Sequence, residues 1–152
     1  MSIHKKVENF LSDFGENLSD MLAESNISPY MLANSIGVDR SEIYKYLRKE
    51  NMPSLHKLIL IADRLNCSID YLLGLGEENP DIIYKPALPF SECFKKMLDK
   101  CGKSRYRFYN ETHFAKQSID DWYHGKRAPT VENTVEIAKY FNCGIDYLLG
   151  RE

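Results

Sequence analysis

An internal repeat is the feature of this sequence that most constrains its fold. Residues 65–74 (LNCSIDYLLG) recur as residues 141–150 (FNCGIDYLLG), identical at eight of ten positions and 76 residues apart. The same offset pairs further positions without a gap, among them Pro53 with Pro129, Ile43 with Ile119 and Tyr30 with Tyr106. A fixed period of this kind indicates duplicated structural units, so we expect two copies of one module of about 60 residues.

The segment between the two copies differs from both in composition. Residues 74–89 (GLGEENPDIIYKPALP) contain two glycines, three prolines and an acidic cluster. These residues interrupt helical periodicity and are typical of a linker. We therefore predict a first domain over residues 1–75, a linker over residues 76–89 and a second domain over residues 90–152.

Within each copy the apolar residues recur with the period of an α-helix, and strand alternation is absent. Residues 54–66 follow Pro53, have Ser54 as a predicted N-cap, and carry one apolar face made of Leu55, Leu58, Ile59, Ala62 and Leu65. Residues 130–142 repeat this pattern after a Thr130 cap, with Val131, Val135, Ala138 and Phe141. The pattern predicts an all-α fold.

Two shorter helices are predicted upstream of that face in the first copy. Ser28 and Pro29 are a typical N-cap and first helical residue, and this helix should end at Gly37, which can adopt a left-handed conformation. The next helix should begin at Asp39, which forms a capping box variant with Glu42.

Charge and composition exclude several functional classes. The net charge is −2, and residues 1–79 hold eight basic and twelve acidic side chains, against twelve and ten in residues 80–152. A protein that covers nucleic acid with positive charge is therefore not expected, and any phosphate contact must come from local patches. No apolar run reaches the ~18 residues of a membrane span, and Glu8, Asp13 and Glu16 occupy the place of a secretion signal's apolar core. We expect a cytoplasmic protein.

Metal and catalytic sites are not indicated. The four cysteines form no C-x-x-C pair and the four histidines form no i, i+4 pair. We therefore expect buried, reduced thiols at Cys67, Cys93, Cys101 and Cys143, and neither a metal nor a cofactor. No nucleophile elbow, phosphate loop or catalytic carboxylate pair is found, so an enzyme is not predicted.

Residues 28–47 (SPYMLANSIGVDRSEIYKYL) resemble the helix-turn-helix of the phage repressor and Cro family. The marks of the resemblance are Leu32-Ala33, Gly37, Val38, Ile43, Pro53-Ser54 and the ending IDYLLG. It covers residues 18–74 and, in weaker form, residues 94–150. The resemblance implies two tandem lambda repressor-like DNA-binding domains of about five helices each.

The second copy departs from this pattern at two positions. Tyr109 and His113 stand where the first copy has Ala33 and Gly37, so we expect a bulky ring at the helix crossing. Histidine enters the left-handed region more readily than most residues, which allows the turn to persist. Apolar residues still match the first copy at Phe108, Phe114, Ile119 and Trp122.

In that family the second helix of the motif lies in the major groove and its outward residues read base edges. The resemblance implies this role for Asp39, Arg40, Ser41, Tyr44 and Lys45. Arg40 is the strongest candidate because a guanidinium contacts O6 and N7 of guanine together, whereas Arg48 and Lys49 would contact phosphates. The alternative is an ordinary solvated helix face with a Glu42–Lys45 pair. Pro29 replaces the glutamine that commonly opens the preceding helix.

The same offset places a second set of candidates in the second copy. Lys116, Gln117 and Asp121 lie on the groove side, and Arg105, Lys126 and Arg127 are candidates for phosphate contacts. Gln117 has the groups to pair with adenine, but Asp120 and Asp121 would repel the DNA backbone. Base reading and a packing or dimerisation role both stay open for this copy.

These residues predict a sequence-specific double-stranded DNA-binding transcriptional regulator, acting as a repressor by occupying its operator. The alternative is a protein-interaction module, such as an antirepressor or an antitoxin-like partner, that has lost DNA binding in one or both domains. The predicted partner is double-stranded DNA, with a homodimer as an open alternative for assembly. No membrane, cofactor or small-molecule effector is predicted.

Overall fold

Helices joined by short turns make up the fold in the computed structural model, which describes the backbone of residues 3–152 and side chains from residue 9. The chain divides into two compact units, one up to Tyr84 and one from Lys85. Unit 1 holds α1 (Ile3–Glu24), α2 (Pro29–Ile36), α3 (Arg40–Leu47), α4 (Leu55–Leu65) and α5 (Ile69–Leu72). Unit 2 holds α6 (Phe90–Lys100), α7 (Arg105–Glu111), α8 (Lys116–His124), α9 (Val131–Tyr140) and α10 (Ile145–Leu148). Since residues 3–152 contain no strand, the predicted all-α class is confirmed.

None of the helices in this described part of the chain combines the length and the hydropathy needed to cross a membrane.

Local sequence signals set the helix starts. The hydroxyl groups of Ser28, Ser54 and Thr130 accept hydrogen bonds from the backbone N–H groups of Met31, Lys57 and Asn133, at 3.1, 3.2 and 3.1 Å. Each bond satisfies a donor that the helix itself leaves unpaired. Gly37 ends α2 in the left-handed region, with φ 75°. The three predicted caps and the predicted turn of unit 1 are confirmed.

The core of unit 1 is built by aliphatic side chains from all five helices. Leu18, Leu32, Ile43, Leu58 and Ile69 are fully buried. On α4 the buried face is Leu55, Leu58, Ile61, Ala62 and Leu65, so the assignment of Ile59 to this face is wrong. Ile59 is half-buried, and the helices that pack against α4 are α2 and α5.

The core of unit 2 fills the same positions with rings. Where unit 1 has Leu18, Leu32, Val38, Tyr46 and Leu65, unit 2 has Phe94, Phe108, Phe114, Trp122 and Phe141. Phe94 is the centre of this cluster, with its ring centroid 5.0 Å from that of Phe108 and 6.4 Å from that of Phe141. Rings contribute large buried areas and constrain their neighbours to edge or stacked contacts.

The two expectations about the second turn are wrong. His113 does not take a left-handed conformation, because α7 ends at Glu111 and the chain continues through extended Thr112 (φ −124°, ψ 173°). The Thr112 hydroxyl donates to the Phe108 carbonyl at 2.8 Å and closes this end of the helix. Tyr109 is 41% exposed, so its ring lies at the surface and not in the helix crossing.

Burial of the cysteines also differs from the expectation. Cys67 and Cys93 are buried, but Cys143 is half-buried and Cys101 is exposed at the end of α6. Burial raises the pKa of the Cys93 thiol to about 11, so this thiol stays protonated at neutral pH.

The residues between α5 and α6 are hydrogen-bonded within their own units. In unit 1, the Tyr84 amide donates to the Asn66 side-chain oxygen at 3.3 Å. In unit 2, the Lys85 amide donates to the Arg151 carbonyl at 2.7 Å. The Arg151 side chain is fully buried and forms an ion pair with the buried Asp146. The backbone hydrogen bonds from Lys85 to Arg151 and from Leu88 to Leu149 hold residues 149–151 against the residues before α6.

In each unit, the first helix passes close to the end of the third at a point where one of two facing residues is glycine. A Cβ at Gly15 of α1 would lie 2.8 Å from Lys49 Cγ and 2.9 Å from the Tyr46 carbonyl oxygen. The repeat places Ser91 opposite Gly125 at the same crossing in unit 2, where a Cβ at Gly125 would lie 3.3 Å from Ser91 Oγ. The glycine is on the first helix in one unit and after the third helix in the other.

We expect Gly15→Ala to destabilise unit 1 although alanine favours helix. The new methyl group meets a backbone oxygen that cannot move away, an overpacking cost of about 1 to 3 kcal/mol that exceeds the ~1 kcal/mol gained in helix propensity. Urea unfolding followed by far-UV circular dichroism measures the difference. Ser19→Ala, at an exposed position of the same helix, is the control and should be neutral or slightly stabilising. Equal stabilisation by both changes would contradict the close crossing.

Exchange of residues between the two copies should have unequal effects. Ala33 is buried, so Ala33→Tyr overpacks the crossing of α2 and α3 and should cost about 1 to 3 kcal/mol. Tyr109→Ala removes a ring that lies at the surface and should cost less than about 1 kcal/mol. Thermal melts of the full chain test both, and a large loss for Tyr109→Ala would place that ring in the core.

Candidate nucleic-acid interface

Helix α3 is fixed to unit 1 by its inner face. Ile43 and Tyr46 are buried, and the Tyr46 ring packs edge-on against Phe14 of α1 with centroids 5.6 Å apart. This packing turns the opposite side of a short helix to solvent. The whole set of expected groove residues is exposed there, namely Asp39, Arg40, Ser41, Tyr44 and Lys45.

The charged side chains on the outer face of α3 differ in whether neighbouring groups already bind them. Asp39 Oδ1 accepts a hydrogen bond from the Ser41 amide at 2.8 Å, and the contacts from Ser41 lower the pKa of the Asp39 carboxyl. Its charge is therefore committed to the helix N-terminus. The Arg40 guanidinium lies 5.9 Å from the centroid of the Tyr30 ring. Among the described residues, neither Arg40 nor Lys45 has an acidic partner within ion-pair distance.

Glu42 does not complete the predicted capping box, and it does not pair with Lys45. Its carboxylate accepts hydrogen bonds from Lys57 Nζ at 2.7 Å and from the Tyr46 hydroxyl at 2.8 Å. Lys57 lies in the first turn of α4, so the carboxylate turns inward, away from the Asp39 amide. The bond from Lys57 lowers the pKa of Glu42, whereas burial raises the pKa of Tyr46. This network ties the middle of α3 to α4.

The two cations expected to contact phosphates are both paired with acids of unit 1. Arg48 lies 3.1 Å from a Glu50 oxygen, and Lys49 lies 3.0 Å from Glu16 of α1. Lys49 follows the end of α3 with φ 64°, a left-handed conformation that lysine rarely adopts. Both pairs are exposed and weak, so a phosphate can compete for either cation.

In unit 2, side chains on the equivalent face of α8 bind one another. Gln117 Nε2 donates to Asp121 Oδ1 at 3.0 Å, and Arg127 Nε lies 3.1 Å from Asp121 Oδ2. Arg127 Nη2 also donates to the Ser118 hydroxyl at 3.0 Å. Three of the six candidates of the second copy therefore bind one another.

The other three candidates of unit 2 lie at the edges of this cluster. Arg105 Nη1 lies 3.2 Å from Asp120 Oδ1, and its guanidinium lies over the Tyr123 ring at 4.1 Å from the centroid. Lys116 and Lys126 are exposed, one at the first turn of α8 and one just after Gly125. The structure brings all six candidates to the surface around α8.

A cavity of about 410 Å³ separates α7 from α8 at the surface of unit 2. It is lined by Arg105, Tyr106, Tyr109, Lys116, Ile119 and Asp120. In the described part of the chain, no group of three or more His, Cys, Asp or Glu side chains is placed to hold a metal ion.

Three contributors to the interface were missed by sequence reasoning. Tyr30 lies under Arg40, Glu16 binds Lys49, and Lys57 binds Glu42. The repeat already drew attention to Tyr30, because Tyr106 occupies the same position in the second copy. Nothing in the sequence signals the other two contacts, since they join residues 33 and 15 positions apart.

The lowered pKa of Glu42 predicts that its contribution to the stability of the folded chain depends on pH. A carboxyl with a depressed pKa stabilises the folded state above its unfolded pKa, here 4.5, and this stabilisation is lost as pH falls through the folded pKa. We expect Glu42→Gln to cost about 1 kcal/mol at neutral pH and progressively less in acid. Melts should be followed by far-UV circular dichroism, because the single tryptophan lies in unit 2. Glu50→Gln, at an exposed pair, is the control with the smaller effect, and a cost for Glu42→Gln that is equal at all pH values would refute the network.

Part of the chain is similar in sequence to known helix-turn-helix proteins. Residues 18–72 match the family model described as helix-turn-helix. Relatives include uncharacterized HTH-type transcriptional regulators of Rickettsia prowazekii and Rickettsia conorii, each 32% identical over 78 residues, which is 51% of this chain. The cryptic phage CTXphi transcriptional repressor RstR of Vibrio cholerae is 31% identical over 72 residues, or 46% of the chain.

The matched segments cover 58%, 60% and 64% of these three relatives, in the same order. No solved structure matches the chain significantly. The family match spans the end of α1 to the end of α5, and it includes the α2–turn–α3 arrangement that presents Arg40. Residues 18–72 of this chain are therefore similar to helix-turn-helix domains in sequence and in the arrangement of α2, the turn and α3.

Proposed function

We propose that the chain is a sequence-specific double-stranded DNA-binding transcriptional regulator. The observation that carries the proposal is the outer face of α3, where Arg40 and Lys45 stand exposed without acidic partners on a helix seated by buried residues. The family match and the names of the relatives, which are transcriptional regulators, support the same function.

The dimensions of α3 suit the major groove. A helix with its side chains is about 10 to 12 Å in diameter and fits a groove about 12 Å wide, and the eight residues of α3 at about 1.5 Å each span about 12 Å. In this arrangement Arg40 reads a guanine, Ser41 contacts a base or phosphate, and the Tyr44 ring packs against a thymine methyl group. Lys45 and Arg48 contact the backbone, which positions the helix without reading sequence.

Repression by operator occupancy is the finer part of the proposal. It is supported by the similarity to RstR, which is named a transcriptional repressor. A protein bound at a promoter excludes the polymerase or another regulator by its presence alone, so no catalytic group is required.

Duplex binding by the full chain tests the proposal. A gel-shift assay with random-sequence duplex should show weak binding at ~50 mM salt that falls steeply toward ~200 mM, because cations released from the phosphates drive it. Selection of duplexes from a random library should then return one preferred sequence. Absence of duplex binding at the lower salt would overturn the proposal.

Arg40→Ala tests the assignment of the base-reading residue. We expect a loss of about 1 to 3 kcal/mol on the selected duplex and relaxed selection at one base pair. Arg64→Ala, at an exposed arginine of α4, removes the same charge away from α3 and is the matched control. If the two variants lose affinity equally and keep the same selected sequence, Arg40 does not read a base.

A protein-interaction module is the second candidate function. The acidic excess of residues 1–79, twelve acidic against eight basic side chains, favours it because a basic protein surface would complement this half of the chain. The same gel-shift assay separates the two candidates, since only the first binds duplex.

A further inference from the structure

We infer that base reading by this chain belongs to α3 alone, and that Asp120 and Asp121 keep the equivalent face of unit 2 off DNA. This inference rests on the proposed function and assigns to two acidic residues the restriction of DNA recognition to one unit. It decides between the roles that the sequence leaves open for the second copy.

The repeat gives the comparison position by position. Tyr44 and Lys45 of α3 occupy the places of Asp120 and Asp121 in α8. A neutral ring and a cation in unit 1 are thus replaced by two carboxylates at the middle of the equivalent face of unit 2. The acid nearest to the α3 face is Asp39, and its carboxylate is bound to the Ser41 amide.

Asp121 is the centre of the cluster in unit 2. Its side chain is only 16% exposed, because Gln117 and Arg127 cover its two oxygens. Bidentate pairing with adenine needs an N–H and the oxygen of the glutamine amide, and one of the two N–H groups of Gln117 already donates to Asp121, which fixes the direction of the amide. The guanidinium of Arg127 is directed at Asp121 and Ser118, and not outward as a fork for phosphate.

DNA is excluded by the negative charge of Asp120 and Asp121, and not by the strength of their ion pairs with Arg105 and Arg127. Arg127 is 58% exposed, and an ion pair at such a site contributes little free energy. If DNA broke the pair, however, the carboxylate of Asp121 would remain against the negative potential of the groove. Asp120 would meet the same repulsion once Arg105 turned to a phosphate. Arg105 and Arg127 would therefore each uncover an acid on turning to DNA.

A chain that reads bases with α3 alone recognises one contiguous segment of DNA. Two such segments on one operator require a second copy of the chain, related to the first by the symmetry of the site.

The test uses the full chain, a duplex selected from a random library and a random-sequence duplex. Lys45→Asp, which gives α3 the residue of α8, should lower affinity for the selected duplex about tenfold or more. Gln117→Ala should change that affinity by less than about twofold. Both positions are exposed, and far-UV circular dichroism verifies that the variants are folded.

Asp121→Asn should let unit 2 gain a phosphate contact. No such gain is expected if Asp121 does not keep unit 2 off DNA. The amide keeps an acceptor for Gln117 but frees Arg127, so the slope of log affinity against log salt on random duplex should steepen by about 0.9. Asp99→Asn makes the same charge change at an exposed position of α6 and should leave the slope unchanged.

Two results would overturn the inference while leaving the proposed function in place. One is a loss for Gln117→Ala as large as that for Lys45→Asp, which would show base reading by α8. The other is an Asp121→Asn slope equal to that of Asp99→Asn. A wild-type chain that binds neither duplex overturns the proposed function, and this inference with it.

Discussion

The contact between the first helix of each unit and the end of the third fixes the orientation of the third helix. In unit 1, Gly15 allows the backbone of α1 to approach the Tyr46 carbonyl oxygen and the stem of Lys49. In unit 2 the same approach is made with the glycine on the opposite side, at Gly125. Close packing tolerates an extra methyl group poorly, so one of the two facing residues must lack a side chain. The burial of Ile43 and the exposure of Arg40 both follow from the orientation that this contact sets.

The two copies have diverged by filling one arrangement of helices with different side chains. Rings such as Phe94, Phe108 and Phe141 replace leucines and make the core of unit 2 aromatic. The bulk changes the second motif locally, because α7 ends one residue earlier than its counterpart and the Tyr109 ring lies at the surface beside a cavity. Cores accept such exchanges when total volume and pattern are kept, while surfaces are free to change in function.

The surfaces differ most where the family motif would meet DNA. Unit 1 uses its acids inside the unit, with Glu42 bound to Lys57 and Asp39 bound to the helix N-terminus, and this leaves Arg40 and Lys45 outward. Unit 2 instead presents acids on the helix itself, and they bind the cations next to them. At the five equivalent positions the α3 face carries one acid and two cations and the α8 face two acids and one cation, so the two faces differ in both the number and the arrangement of charges.

The sequence by itself determined the duplication, the all-α class, the helix starts at Ser28, Ser54 and Thr130, and the outward set of residues on α3. These depend on period, caps and glycine, which act within a few residues of chain. It did not determine the partners of Glu42 and Lys49, or the conformation of the turn after α7. The Lys57 and Glu16 contacts join residues 15 and 33 positions apart. Only the tertiary structure, which brings α1 and the start of α4 next to α3, places such side chains within hydrogen-bond distance, and only the tertiary structure leaves the Tyr109 ring 41% exposed.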